Sequence, residues 1–260
     1  MERLSFLSSL IAAVGVSQLT HIAPALALDE AGVGREVFLQ LRDDGDLLFD
    51  SPYYEHLNEV GEVISNTVRS RYPYAIRYYV VKGDSANAFS VPGGAIYVNE
   101  PLLKMVKNRD ELGGVLAHET GHMVLHHVAK SMKNAETAGI LGSLGSIAAQ
   151  ILLGPIGALP ANYMLDLATN AQDMNLSRHI EAQADEEGAR ILAASNSFNP
   201  YGMIWFFRTM KRVYGDHGAY WEQSHPFDDQ RIADLLKLFK SDPGTFGRFT
   251  DTEQGDQIYW

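Results

Sequence analysis

Apolar residues recur at helical spacing along most of this chain, and one stretch departs from that period. Val33, Val37, Leu39 and Leu41 predict a helix between Asp29 and Asp50, closed by the turn Asp43-Asp44-Gly45-Asp46. Leu57, Val60, Val63, Ile64 and Val68 form a second stripe, predicting a helix from Tyr53 to Tyr72 that opens at Ser51-Pro52 and stops at Pro73. The period then changes. Ala75 to Lys82 (AIRYYVVK) is rich in β-branched and aromatic residues and predicts a strand. Asn87 to Val91 and Ala95 to Val98 flank Pro92-Gly93-Gly94, which predicts a hairpin. Helical spacing resumes over Pro101 to Lys107, Leu112 to Lys130, Ser177 to Ala193, Tyr201 to Tyr214 and Ile232 to Phe239. Helices on both sides of one small group of strands predict an α+β domain, mainly helical, with a small antiparallel or mixed sheet.

Composition narrows this picture. The chain has 260 residues, 46% apolar and 20% charged, which suits a single globular domain with a sizeable core. Residues 1–27 carry Arg3, an apolar run from Leu4 to Val16 and the small-residue pattern Ala25-Leu26-Ala27. They predict a signal peptide, and with it an exported protein, periplasmic or extracellular. Residues 28–240 are then the folded domain and 241–260 a loosely ordered C-terminal tail, rich in Gly, Asp and Thr. The absence of cysteine rules out disulfides and thiolate ligands. The net charge of −11 argues against a nucleic-acid partner. Thr137 to Leu165 has no charged residue, but glycines and prolines divide it into pieces too short to cross a bilayer. The expectation is a packed helix with an apolar loop that lids a cleft or touches a membrane surface.

The chemistry sits in Leu112 to Lys130, which contains His118, Glu119 and His122 in the pattern H-E-x-x-H. Residues four apart share a helix face, so both imidazoles can converge on one metal ion while Glu119 takes a proton from water beside it. Asn108 to Glu111 provides the helix start, with acidic residues in the first turn. His126 and His127 follow, but three ligands on consecutive turns of a straight helix would span about 12 Å, too far for one ion. Both are assigned to outer or surface roles. A third histidine at the metzincin spacing is excluded, because Leu125 and Val128 stand where that pattern needs Gly and His. The remaining source is a carboxylate on Ser177 to Ala193. Glu181 suits a ligand role, with Asp185 one turn on to accept the outer N–H of a ligand histidine, and Glu186 and Glu187 compete for the same position.

HETGH, SRHIEAQAD 59 residues later, the preceding NAFSVPGGAIYV and the trailing HPFDDQRI together resemble the HtpX-type and CAAX-prenyl-protease-like family of zinc gluzincin endopeptidases, over roughly residues 30 to 240. The resemblance implies a zincin-type domain whose sheet edge borders the metal cleft. It further implies one Zn2+ per chain held by His118, His122 and Glu181, and Glu119 as general base. Asn87, Ala88, Phe89 and Ser90 would form the strand that receives a protein or peptide substrate. His225 would stabilise the tetrahedral intermediate, with Arg231 bracing the site. The favoured function is an exported zinc endopeptidase acting on misfolded or membrane-associated proteins. The alternative is a non-proteolytic chaperone or binding module, or a latent peptidase, using the same groove.

Overall fold

The computed structural model describes residues 29–137, 171–215, 225, 229–252 and 256–258. Helix α1 spans Glu30–Asp43 and α2 spans Tyr54–Val68; strands β1 (Arg77–Val81), β2 (Ala88–Val91) and β3 (Ala95–Asn99) follow. Next come α3 (Glu100–Met105), α4 (Arg109–Val124), α5 (His127–Thr137), α6 (Ala171–Ser195), α7 (Tyr201–Tyr214), α8 (Asp229–Ser241) and α9 (Pro243–Phe246). The expected architecture is present: an α+β domain, mainly helical, with one three-stranded mixed sheet in the order β1-β3-β2. β1 runs parallel to β3, Arg77 opposite Ala95, while β2 closes an antiparallel hairpin with Ser90 opposite Ile96. Among the described residues no helix is long and apolar enough to cross a membrane.

Helix α4 is the centre of the packing. Asn108 caps it, accepting the Glu111 N–H at 2.8 Å. Every residue from Asp110 to Met123 is buried, so its polar groups must find partners in the interior. The main core joins α2, one sheet face, α4, α6 and α7 through residues such as Ile64, Val98, Leu116, Leu192 and Phe206. A smaller core lies on the other sheet face, where Val33, Val37 and Leu41 of α1 meet Phe89 and Tyr97. The aromatic and methionine-rich α7 is core: Met203, Trp205, Phe206 and Phe207 are each 1% exposed.

The boundaries differ in two places. Helix α2 ends at Val68, before Pro73, because the N–H groups of Arg71 and Tyr72 turn back onto the Val68 carbonyl at 2.8 and 3.2 Å. The described residues after Lys240 are packed, not loose. Phe246 and Ile258 are buried, Ile258 N–H donates to Lys107 O, and Asp251 accepts from Trp205 Nε1 and Arg208. The expected signal peptide over 1–27 and nearly all of the apolar stretch 137–165 lie outside the described residues.

Helices α4 and α6 touch at two glycines. A Cβ on Gly121 would stand 2.8 Å from the Ala184 carbonyl oxygen, and one on Gly188 would stand 3.0 Å from the His118 nitrogen. Gly121→Ala is expected to lower stability by about 1–3 kcal/mol through overpacking against backbone that cannot yield, as read by urea denaturation.

Candidate metal centre

The close approach of α4 and α6 brings His118 and His122 from one helix against Glu181 from the other. His118 Nε2 and His122 Nε2 are 3.1 Å apart. Glu181 Oε2 lies 3.3 Å from the first, and Oε1 lies 3.4 Å from the second. A tetrahedral ion with ligands at about 2.0–2.1 Å separates its donors by about 3.3–3.4 Å. The three donors already stand at nearly that spacing, and all three residues are buried. His118 Nδ1–H donates to Asp185 Oδ1 at 2.9 Å, which turns its Nε2 toward the shared point. The donor set therefore fits a divalent cation. The competing carboxylates face elsewhere: Glu186 pairs with Arg190 at 3.0 Å, and Glu187 with Arg71 at 2.6 Å.

Arg231 of α8 completes the wall. Its Nε and Nη2 bind both oxygens of Asp185 at 2.7 and 2.6 Å, and Nη1 lies 3.2 Å from Glu181 Oε2. The guanidinium rests over the Phe207 ring, 4.6 Å from its centroid. Burial opposes charge on both carboxylates. Even so, His225, His122 and Arg231 hold Glu181 well below the usual carboxylate range, and Arg231 holds Asp185 down. Burial likewise opposes charge on His118, but the Asp185 and Glu181 carboxylates raise it to about 9. Burial keeps His122 well below its ordinary value. A cation at the shared point would displace the proton that His118 otherwise attracts.

Glu119 is 1% exposed. Burial pushes its carboxyl up, against the pull of His225 and His118, and Ser90 of β2 hydrogen-bonds it. His225 bridges the site: Nδ1 lies 3.3 Å from His118 Nε2 and 3.1 Å from Glu181 Oε2, and Nε2 lies 3.2 Å from Glu119 Oε1. His225 thus joins the same group of possible ligands, whose donor atoms all lie within 4.8 Å of one another.

Strand β2 is the edge next to this cluster and pairs only with β3 among the described residues. Ala88 belongs to the core on the α4 side, while Phe89 points the opposite way and stacks on Tyr97 at 5.0 Å. Phe89 can therefore offer only its backbone to the cleft. Asn87 is engaged at the base of the hairpin, its N–H donating to Asn99 Oδ1 at 2.9 Å. All four residues of β2 are buried.

The two histidines after the motif part company. His126 turns toward Glu30, 3.2 Å from Oε1. His127 turns inward, its Nδ1 3.0 Å from His122 Nδ1. No helical periodicity points to that second contact, because it arises where the helix is broken.

The family model for Peptidase family M48 matches residues 55–238. The chain is 28% identical over 227 residues to the β-barrel assembly-enhancing protease of Yersinia pestis, covering 83% of this chain and 45% of that protein. It is 25% identical over 196 residues to metalloprotease LoiP of Escherichia coli (strain K12), covering 72% and 74%. Metalloprotease YcaL of the same organism is 26% identical over 181 residues, covering 70% and 68%. The chain spans about half the length of the β-barrel assembly-enhancing proteases it matches.

Proposed function

Since the chain belongs to peptidase family M48, we propose that it is an exported zinc-dependent endopeptidase that hydrolyses peptide bonds of misfolded or membrane-associated proteins. Residues 28–240 are its catalytic domain, behind a signal peptide over 1–27 and followed by a C-terminal tail from 241. The observation that carries this reading is the convergence of His118 Nε2, His122 Nε2 and Glu181 at tetrahedral spacing beside a sheet edge. All-nitrogen and oxygen donors with three protein ligands suit Zn2+, one per chain. When bound, zinc would polarise the scissile carbonyl and bring the pKa of water in the site down toward ~7.

The chain's own groups do the rest. Glu119 takes a proton from the attacking water and delivers it to the leaving amine, and its burial makes the carboxylate a stronger base. Ser90 fixes the orientation of Glu119. Asn87 to Ser90 receive the extended substrate along the outer edge of β2, by main-chain pairing. Asp185 and Arg231 hold His118 and Glu181 in place. Names that tie relatives to β-barrel assembly support substrates of that kind, and contact with a membrane surface through 137–165 belongs to the same reading.

One observation favours a latent form of this enzyme. His225 Nδ1, 3.1 Å from Glu181 Oε2, stands among the donors that a metal would draw on, which supports a form in which this side chain blocks the substrate. His225 must leave that position before a carbonyl can approach, and from the substrate side it then donates to the oxyanion. A peptide hydroxamate, which ligates a metal through two oxygens, is expected to bind His225→Ala about tenfold more tightly than the native chain if closure is favoured by ~1.4 kcal/mol. Inhibition titrations against casein check this. Equal affinities would show that His225 is no barrier. Chelator-sensitive, zinc-restored cleavage of casein by the native chain tests the main reading, and client binding without cleavage would favour a chaperone instead.

A further inference from the structure

We propose that His127 is a positioning residue for the metal centre: the left-handed turn at His126 swings its imidazole under α4, where it accepts the Nδ1–H of His122 and aims the His122 Nε2 at the ion. The inference rests on the metal-centre reading above and concerns a residue outside the ligand set.

On an unbroken helix residues five apart are rotated by about 140° from one another, at roughly 100° per residue, and their rings cannot meet. Here they do. Helix α4 ends at Val124, Leu125 stays near the helical region, and His126 adopts φ 55. A non-glycine residue in that conformation costs about 1 kcal/mol or more and persists where its surroundings hold it. Glu30 Oε1 at 3.2 Å and the Tyr72 ring at 5.8 Å do so. The turn starts α5 in a new direction at His127, whose ring lies 5.0 Å from that of His122 at an interplanar angle of 74°.

The hydrogen bonds then run in one sense. Gln183 Oε1, 3.2 Å from His127 Nε2, can only accept, so Nε2 carries the hydrogen. His127 Nδ1 is therefore the acceptor at 3.0 Å, and His122 Nδ1 the donor. That leaves the lone pair of His122 on Nε2, on the side of His118 and Glu181. Each ligand histidine thus has an acceptor behind it: the Asp185 carboxylate for His118, and a neutral imidazole, 8% exposed, for His122.

The test is zinc affinity by competition with a chromophoric chelator, beside the melting temperature of the chelator-stripped chain. His127→Leu is expected to weaken zinc binding about 10–100-fold while the stripped chain melts close to native. His127→Asn, whose Oδ1 stands near the position of Nδ1, is expected to stay within about threefold of native. Gln183→Leu, at an exposed position, is expected to show a smaller loss in the same direction. Native affinity in His127→Leu, or an Asn variant as weak as the Leu variant, overturns the proposal. If His127→Leu does not fold, unchanged affinity in Gln183→Leu overturns it instead. Glu181→Ala is the control: should it also bind zinc as the native chain does, the metal centre itself is misassigned.

Discussion

Glu119→Gln is expected to lower kcat/KM for casein by about 10²–10⁴-fold, the usual contribution of a positioned general base, while zinc content and melting temperature stay native. The substitution is nearly isosteric and removes the charge that accepts the proton. Glu119 lies beside the donors without being one of them: its Oε1 faces His225 Nε2 at 3.2 Å, whereas Glu181 supplies the oxygens that face His118 and His122. Metal binding and base catalysis should therefore separate. Zinc by elemental analysis, casein cleavage by release of acid-soluble peptide and folding by circular dichroism give the three readouts. Cleavage that survives in Glu119→Gln would remove Glu119 from the reaction. Binding of an unfolded client that is unchanged in this variant, with no cleavage by the native chain, would shift the assignment to a chaperone.

Arg231→Met is expected to destabilise the metal-stripped chain by about 3–5 kcal/mol, the cost of removing one partner from a buried ion pair. Arg231 is 6% exposed, and its guanidinium takes both oxygens of Asp185 and lies 3.2 Å from Glu181. Without it two carboxylates stay in the interior next to His118 and His225, and burial then favours their protonation. Methionine fills comparable space over Phe207, so lost packing contributes little. Arg231→Lys retains the charge but not the two-pronged geometry, and should fall between native and Met. Urea denaturation in EDTA measures all three. A Met variant as stable as native would show that Asp185 and His118 suffice as a pair.

How far the residues themselves announced this protein can be judged element by element. Helices α1, α2, α4 and α7 were legible because each buries a stripe or a whole surface whose period is set by the helix. The hairpin was legible because Gly93 and Gly94 adopt φ 91 and 103, which glycine tolerates where other residues do not. Pairing of β1 with β3 in parallel was not, since a strand's composition says little about which neighbour it takes. The packing of the described residues after Lys240 was not legible, because its anchors, Phe246 and Ile258, are single residues without a period.

The site divides the same way. H-E-x-x-H is a local pattern: helix geometry alone puts His118 and His122 on one face, so the sequence by itself determined that two imidazoles and a neighbouring carboxylate stand together. Asp185, one turn after Glu181, followed by the same rule. Which carboxylate faces the pair, and that Glu186 and Glu187 bind Arg190 and Arg71 instead, depended on how α6 is rotated against α4 at Gly121 and Gly188. His225 among the possible ligands and His127 behind His122 were likewise decided only by the tertiary structure. Periodicity describes contacts within one uninterrupted element, whereas these contacts are made by helix-to-helix packing, by a residue 44 positions beyond Glu181, and by a left-handed break in the chain.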